Sequence, residues 1–171
     1  MTEGIIDLAG FNTAEPEQIR GILAAVLDIS SYIDAMTNGR PYADLDALSA
    51  ASRAAADRIT WPEVAGALDR HPRIGQKPAP AASSSGVEAA WSSAEQSGVR
   101  SEQLDDFAIG NAAYEKRFGH IFLICAAGLS GDQMLAALTA RLQHTAEQER
   151  PVVIGELRRI AALRLAKAIH P

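Results

Sequence analysis

Apolar residues recur at helical spacing along most of this chain. Ile19, Ile22, Leu23, Val26 and Leu27 stand at i, i+3, i+4, i+7 and i+8, one face of a helix that Asn12-Thr13 can cap. The NGRP of residues 38–41 reads as a turn, after which Asp44 caps a stretch carrying Leu45, Leu48, Ala55 and Ile59. Thr60-Trp61-Pro62-Glu63 predicts a helix start. Thr60 and Glu63 can form a reciprocal capping box, and Pro62 in the first turn loses no needed hydrogen bond. That helix must stop by His71, because Pro72 disfavours helical geometry in the residue before it.

Residues 73–86, rich in Pro, Ala, Ser and Gly, read as a surface loop. Ser85 and Glu88 then match a capping box opening a helix that ends near Gly98. Ser101 caps the next, with Leu104, Phe107, Ala108 and Tyr114 on one side and Gly119 as its stop. The run IFLICAAG (121–128) is apolar but too brief to assign as a helix, and an extended, buried segment is the alternative. Ser130 and Gln133 repeat the capping signature before Leu135, Leu138 and Leu142, and a last helix is expected from about Pro151 to Ala168. Neither an internal repeat nor a domain-sized linker interrupts this pattern. It predicts an all-α, single-domain helical bundle of about seven or eight helices spanning residues 1–171.

Composition narrows the class. The 171 residues are 47% hydrophobic but only 5% aromatic, with abundant alanine, which favours packed helices. A net charge of −5 argues against a nucleic-acid partner and against an acidic membrane surface. The single Cys125 rules out an intramolecular disulfide and a multi-cysteine zinc site. MTEGIIDLAG lacks the layout of a secretory signal, AIHP is no peroxisomal tripeptide, and no stretch approaches the roughly 18 apolar residues of a membrane span. A cytoplasmic, reduced setting is the expectation.

Three polar features stand where apolar ones are expected. Arg164 projects into the stripe formed by Ile154, Leu157, Ala161, Leu165 and Ala168, while Arg158 and Arg159 can reach water. A core-facing guanidinium needs a carboxylate or an anionic ligand, unless it snorkels or pairs structurally. Ser92, Glu95 and Gln96 share one helix face beside Trp91, opposite Val87, Ala90 and Ala94. That row is either a solvated face or a hydrogen-bonding edge of a pocket with Glu95 as acid or base. His71 either meets the last carbonyls of a helix or, held by Pro72, acts as a general acid or base. His120, His144 and His170 form no pattern, and nothing matches a metal motif such as H-E-x-x-H.

Several separated segments occur together in order: GFNTAEPEQIRGIL (10–23), HPRIG (71–75), SSAEQSG (92–98), NAAYEKRFGHIFLICAAG (111–128), RLQH (141–144), Glu149 and RRIAALRLAKAI (158–169). Together they resemble the 2-oxo-4-hydroxy-4-carboxy-5-ureidoimidazoline (OHCU) decarboxylase family of urate degradation, across almost the whole chain. The resemblance implies an all-helical enzyme, cofactor-free and without a metal, expected as a homodimer. It converts the ureidoimidazoline substrate to S-allantoin with loss of carbon dioxide. It further implies that His71 is the catalytic histidine and Glu95 its carboxylic partner. Pro72, Ser92 and Gln96 would line the substrate, the backbone of Leu123, Ile124, Cys125 and Ala126 would contact its amide groups, and Arg164 would reach into the site.

The chain also departs from the family. His120-Ile121 replaces a frequent Phe-Pro pair, His144 stands where an asparagine is common, and the loop between Pro72 and Ser92 is a few residues longer than in some relatives. Two other classes compete with the enzyme reading: a non-catalytic helical interaction or regulatory domain, and a metal-assisted amidohydrolase. The latter is disfavoured by the missing ligand cluster.

Overall fold

The structure, a computed structural model, describes residues 5–76 and 86–171, and for residues 86–89 and 92 the backbone alone. The described residues form nine α-helices: α1 (Leu8–Thr13), α2 (Pro16–Val26), α3 (Ser30–Asn38), α4 (Leu45–Ala56), α5 (Trp61–Leu68), α6 (Gly86–Glu95), α7 (Leu104–Phe118), α8 (Gly131–Arg141) and α9 (Ala146–Ala168). A 3₁₀ turn, Ser101–Gln103, precedes α7. The all-α class expected from the periodicity is what the structure shows. Most of the loop expected over 73–86, and the Ser85–Glu88 capping box, lie outside the described residues.

One compact unit comprises Met1–Val64 and Arg158–Pro171. Its short strands β1 (Ile6–Asp7) and β2 (Ile169–His170) pair in parallel, with Ile6 opposite Ile169. Asp7 caps α1 through Oδ1, which accepts from Gly10 N at 2.6 Å. Asn12 and Thr13 therefore belong to α1 rather than capping α2, which starts on Pro16, a residue whose fixed φ and missing N–H suit a first turn. Asn12 instead exchanges two 2.8 Å hydrogen bonds with the backbone of Tyr42. Asp44 caps α4 as expected, accepting from Ala47 N at 2.7 Å. At the start of α5, Glu63 Oε2 accepts from both the amide and the hydroxyl of Thr60, each at 2.7 Å. The core collects the whole predicted face of α2 together with Phe11, Tyr32, Met36 and Leu48. Burial lifts the Tyr32 phenol to about 12, although its hydrogen bond with Ser52 pulls the other way.

Ala65–Leu157 form the second unit. Helix α7 ends at Gly119 in the left-handed region, φ 76°, where glycine carries no Cβ penalty. Its buried line is Phe107, Asn111 and Tyr114, whereas Leu104 and Ala108, expected on that side, are exposed. The entry to α7 is fastened by Gln103, whose Oε1 accepts from Arg100 N at 3.1 Å, and not by Ser101. Both bonds of the Ser130–Gln133 box are present on α8. Helix α9 begins at Ala146, ahead of the expected Pro151, because Thr145 and Gln148 form a second reciprocal box at 2.9 and 3.3 Å. Pro151 sits early in that helix and removes one bond of its ladder.

Residues 121–126 lie between α7 and α8 in neither helix nor strand, and Ile121, Phe122, Leu123, Ile124 and Ala126 are all buried. Irregular buried backbone must find partners for its polar groups. Arg141 Nη1 donates to the Leu123 carbonyl at 2.8 Å, Glu156 Oε2 accepts from Cys125 N at 2.8 Å, and Leu129 N donates to the Ala126 carbonyl at 3.0 Å. Arg141 is itself fixed by Glu149, with Nε to Oε1 at 2.7 Å, and lies over the Phe122 ring at 4.6 Å. Glu149, fully buried, also accepts from the Tyr114 hydroxyl and stands 2.6 Å from His144 Nδ1.

Burial pushes the Glu149 carboxyl up, but its hydrogen bonds with Arg141, Tyr114 and His144 and the Arg141 charge outweigh that and hold it below the usual range. A depressed folded value means that its contribution to stability is full above the unfolded-state value of about 4.3 and fades as pH falls through the folded one. Glu149→Gln leaves Arg141 buried without its counter-charge and is expected to cost about 3–5 kcal/mol in urea unfolding at pH 7. The variant should also lose less stability than the parent on acidification. An unchanged urea midpoint would show that the pair carries no weight.

Candidate active site

Helix α5 ends at Leu68, and a turn leads to His71, whose amide donates to the Leu68 carbonyl at 3.1 Å. His71, Pro72 and Arg73 are half-buried and Ile74 is buried. The next three residues of this loop are met in turn by α7. Glu115 takes Arg73 in a two-point ion pair, Nε to Oε1 at 2.5 Å and Nη2 to Oε2 at 2.8 Å. Asn111 Nδ2 donates to the Ile74 carbonyl at 2.9 Å. Phe107 packs under Gly75, where an added Cβ would stand 3.0 Å from the Phe107 Cβ. Positions 107, 111 and 115 are four apart, so one helix face supplies all three contacts.

Helix α6 reaches the same loop from its C-terminal end. Gln96 Oε1 accepts from Gly75 N at 3.0 Å, which fixes the amide with its NH₂ end turned away from Gly75. The two faces of α6 lie opposite to what polarity alone favours: Ala90 and Ala94 are exposed, whereas Trp91, Glu95 and Gln96 are half-buried. A merely solvated polar row would be turned outward. The side chain of Ser92, on the same helix, lies outside the described residues.

Ile74 belongs to one core cluster with Phe107, Tyr114, Phe122, Ile124 and Ala126. That cluster brings the His71 loop and the 123–126 segment together in the second unit. Within the segment, the Leu123 carbonyl is engaged by Arg141 and the Cys125 amide by Glu156, so these two groups serve the fold. Cys125 is half-buried. Arg164 belongs to the other unit, is 2% exposed as the stripe requires, and donates from Nη1 to the Ala25 carbonyl at 3.4 Å. Among the described residues no group of three or more His, Cys, Asp or Glu side chains is placed to hold a metal ion.

The family model described as OHCU decarboxylase matches residues 12–166. The chain belongs to the OHCU decarboxylase family. It is 27% identical over 155 residues to the 2-oxo-4-hydroxy-4-carboxy-5-ureidoimidazoline decarboxylase of Haloferax volcanii, covering 82% of this chain and 90% of that one. It is 30% identical over 142 residues to the uric acid degradation bifunctional protein TTL of Arabidopsis thaliana, which covers 81% of this chain but only 43% of that protein. A crystal structure of OHCU decarboxylase in the presence of (S)-allantoin superposes with a TM-score of 0.71 at 25% identity, over 90% of this chain and 97% of that one.

Two departures from the OHCU decarboxylase pattern acquire roles here. His120, in place of phenylalanine, sets its ring edge-on to Tyr114 at 5.5 Å, and its Nδ1 lies 3.0 Å from the Ile121 carbonyl. His144, in place of asparagine, reaches Glu149. Sequence reasoning did not assign Asn111, Glu115 or Glu156. The signal for Asn111 alone was within reach: an asparagine on the line that Phe107 and Tyr114 bury.

Gly75 has φ 82° and faces Phe107, so Gly75→Ala should strain both backbone and packing and cost about 1–2 kcal/mol. Gly66→Ala, inside α5 with open space around the new Cβ, should instead stabilise by about 0.5–1 kcal/mol. Paired thermal melts check the contrast, and equal effects at the two positions would contradict it.

Proposed function

We propose that the protein decarboxylates 2-oxo-4-hydroxy-4-carboxy-5-ureidoimidazoline to S-allantoin without a cofactor, the whole chain acting as one domain. The observation that carries this reading is the half-burial of Trp91 and Glu95 on α6, with Gln96 just beyond them pinned to the loop that begins at His71. Family membership supplies the reaction class.

The substrate carries its own electron sink. Its carboxylate sits on a ring carbon next to a C=N unit. When the C–CO₂ bond breaks, the electron pair forms a C=C bond between the two ring carbons, and the C=N pair moves to nitrogen, which takes a proton. The enol-like product then gains a proton at the carbon bearing the ureido group. The neighbouring hydroxyl loses its proton and becomes the carbonyl. Chirality is set by the face on which that proton arrives.

His71 stands at the hydroxyl and carboxylate, polarises the hydroxyl and accepts its proton. Glu95 orients the imidazole or the ureido nitrogens and shares in proton delivery. Pro72 limits where His71 can point. Ser92, Gln96 and backbone groups of Leu123, Ile124, Cys125 and Ala126 other than the Leu123 carbonyl and the Cys125 amide orient the urea-like edges, with Gln96 offering its NH₂ as donor to a substrate oxygen.

On the same reading the protein works as a cytoplasmic homodimer on this small anion, engaging neither nucleic acid nor membrane. The net charge of −5 supports the former exclusion. No helix among the described residues is long and apolar enough to cross a membrane.

The test generates the ureidoimidazoline freshly from urate, adds the protein and follows optical rotation. Rapid appearance of one enantiomer of allantoin is expected, against a slow racemic background. His71→Asn should keep the helical circular dichroism and lose about 10²–10⁴ in rate. A racemic product at the background rate would sink the reading. Near-normal turnover by His71→Asn would remove His71 from the chemistry.

A further inference from the structure

We propose that Asn111 and Glu115 of α7 are positioning residues for His71, acting through the loop Arg73–Gly75 without touching substrate. The inference rests on the catalytic reading of His71. From the upstream side, His71 is tied by its amide to the Leu68 carbonyl. Downstream, Pro72 fixes one backbone dihedral and leaves the direction of the following chain open. The contacts of Glu115 to Arg73, Asn111 to Ile74 and Phe107 to Gly75 close that freedom. Gln96 secures Gly75 from a second helix.

Two properties separate these contacts from ordinary stabilising ones. The Arg73 and Glu115 side chains are 41% and 29% exposed, and ion pairs so open to water add little to stability. Their two-point geometry nevertheless fixes direction, because the planar guanidinium matches the carboxylate edge to edge. The Arg73 charge holds the Glu115 carboxyl below its usual range, chiefly through their hydrogen bonds, so the pair stays ionised at neutral pH. Asn111 is 2% exposed and spends its Nδ2 on Ile74, while its buried Oδ1 has no hydrogen-bond partner among the described residues. A buried acceptor left unmatched is a cost to folding. An apolar side chain would fill the position without it, but would leave the Ile74 carbonyl unheld.

Displacement of an acid–base group by about 1 Å can cost roughly 100-fold in rate. In the full-length protein, Glu115→Gln keeps the volume and loses the ion pair. It is expected to lower kcat by about 10–100-fold, with KM changed less than about two-fold and the melting temperature nearly that of the parent. Arg73→Lys keeps the charge but not the two-point grip and should fall between the two. The decisive measurement is the double variant: added to His71→Asn, Glu115→Gln should cause no further loss, because the group it positions is gone. In NMR spectra, the His71 ring resonances of Glu115→Gln should be shifted or doubled.

Unchanged kcat in Glu115→Gln, or losses that multiply in the double variant, would overturn the inference while leaving a catalytic His71 in place. Full activity of His71→Asn alone would strike the reading beneath it. Asn111→Leu is the harsher probe. If it folds poorly, the Glu115 and Arg73 variants still decide the matter.

Discussion

A chain that buries all but Cys125 of residues 121–126 without coiling them must satisfy their peptide groups by other means, and the second unit is arranged around that need. The means are side chains of two later helices. Arg141 of α8 holds the Leu123 carbonyl, and Glu156 of α9 holds the Cys125 amide. A buried guanidinium requires a buried carboxylate, so Glu149 follows, and with it Tyr114 and His144. Against a well-packed apolar alternative such a network adds little net stability. What it contributes is a fixed path for a stretch that neither helical nor strand hydrogen bonding could hold.

Local rules were legible where a local cause was sufficient. The predicted face of α2 is buried throughout, Gly119 ends α7 in the left-handed region, and the Ser130–Gln133 box opens α8. Errors arose where two local signals competed. Pro151 suggested a helix start, yet the Thr145–Gln148 box, opening six residues upstream, prevailed, because an early proline removes only one ladder bond. A helical wheel also tells which residues share a face, not which face is inside. On α6, Ala90 and Ala94 are exposed while Trp91 and Glu95 are half-buried.

Legibility of the site was split for a related reason. The histidine at a helix stop, the polar row on α6 and the arginine in an apolar stripe each break a local expectation, so each was visible. Arg73 and Glu115 break none: either reads as an ordinary surface charge, and 42 residues separate them. Only the folded chain shows that they meet. The same holds for Glu156, an unremarkable helical glutamate until the Cys125 amide is seen beside it.

Helix α7 contacts both walls of the second unit's core, through Phe107, Asn111 and Glu115 towards one loop and Tyr114 towards the other segment's anchor. Residues 107 to 115 span about 12 Å of helix axis, and a helix behaves as a stiff rod over that length. Spacing between the walls is thereby inherited from the pitch of one element. Ala108, Ile109, Ala112, Ala113 and Lys116 lie outside that duty on exposed positions. Sequence drift can replace those five one at a time with little consequence. Insertion of a single residue between 107 and 115 would rotate half the helix by about 100° and unseat contacts on both walls together. The helix thus tolerates changes of letter far better than changes of length.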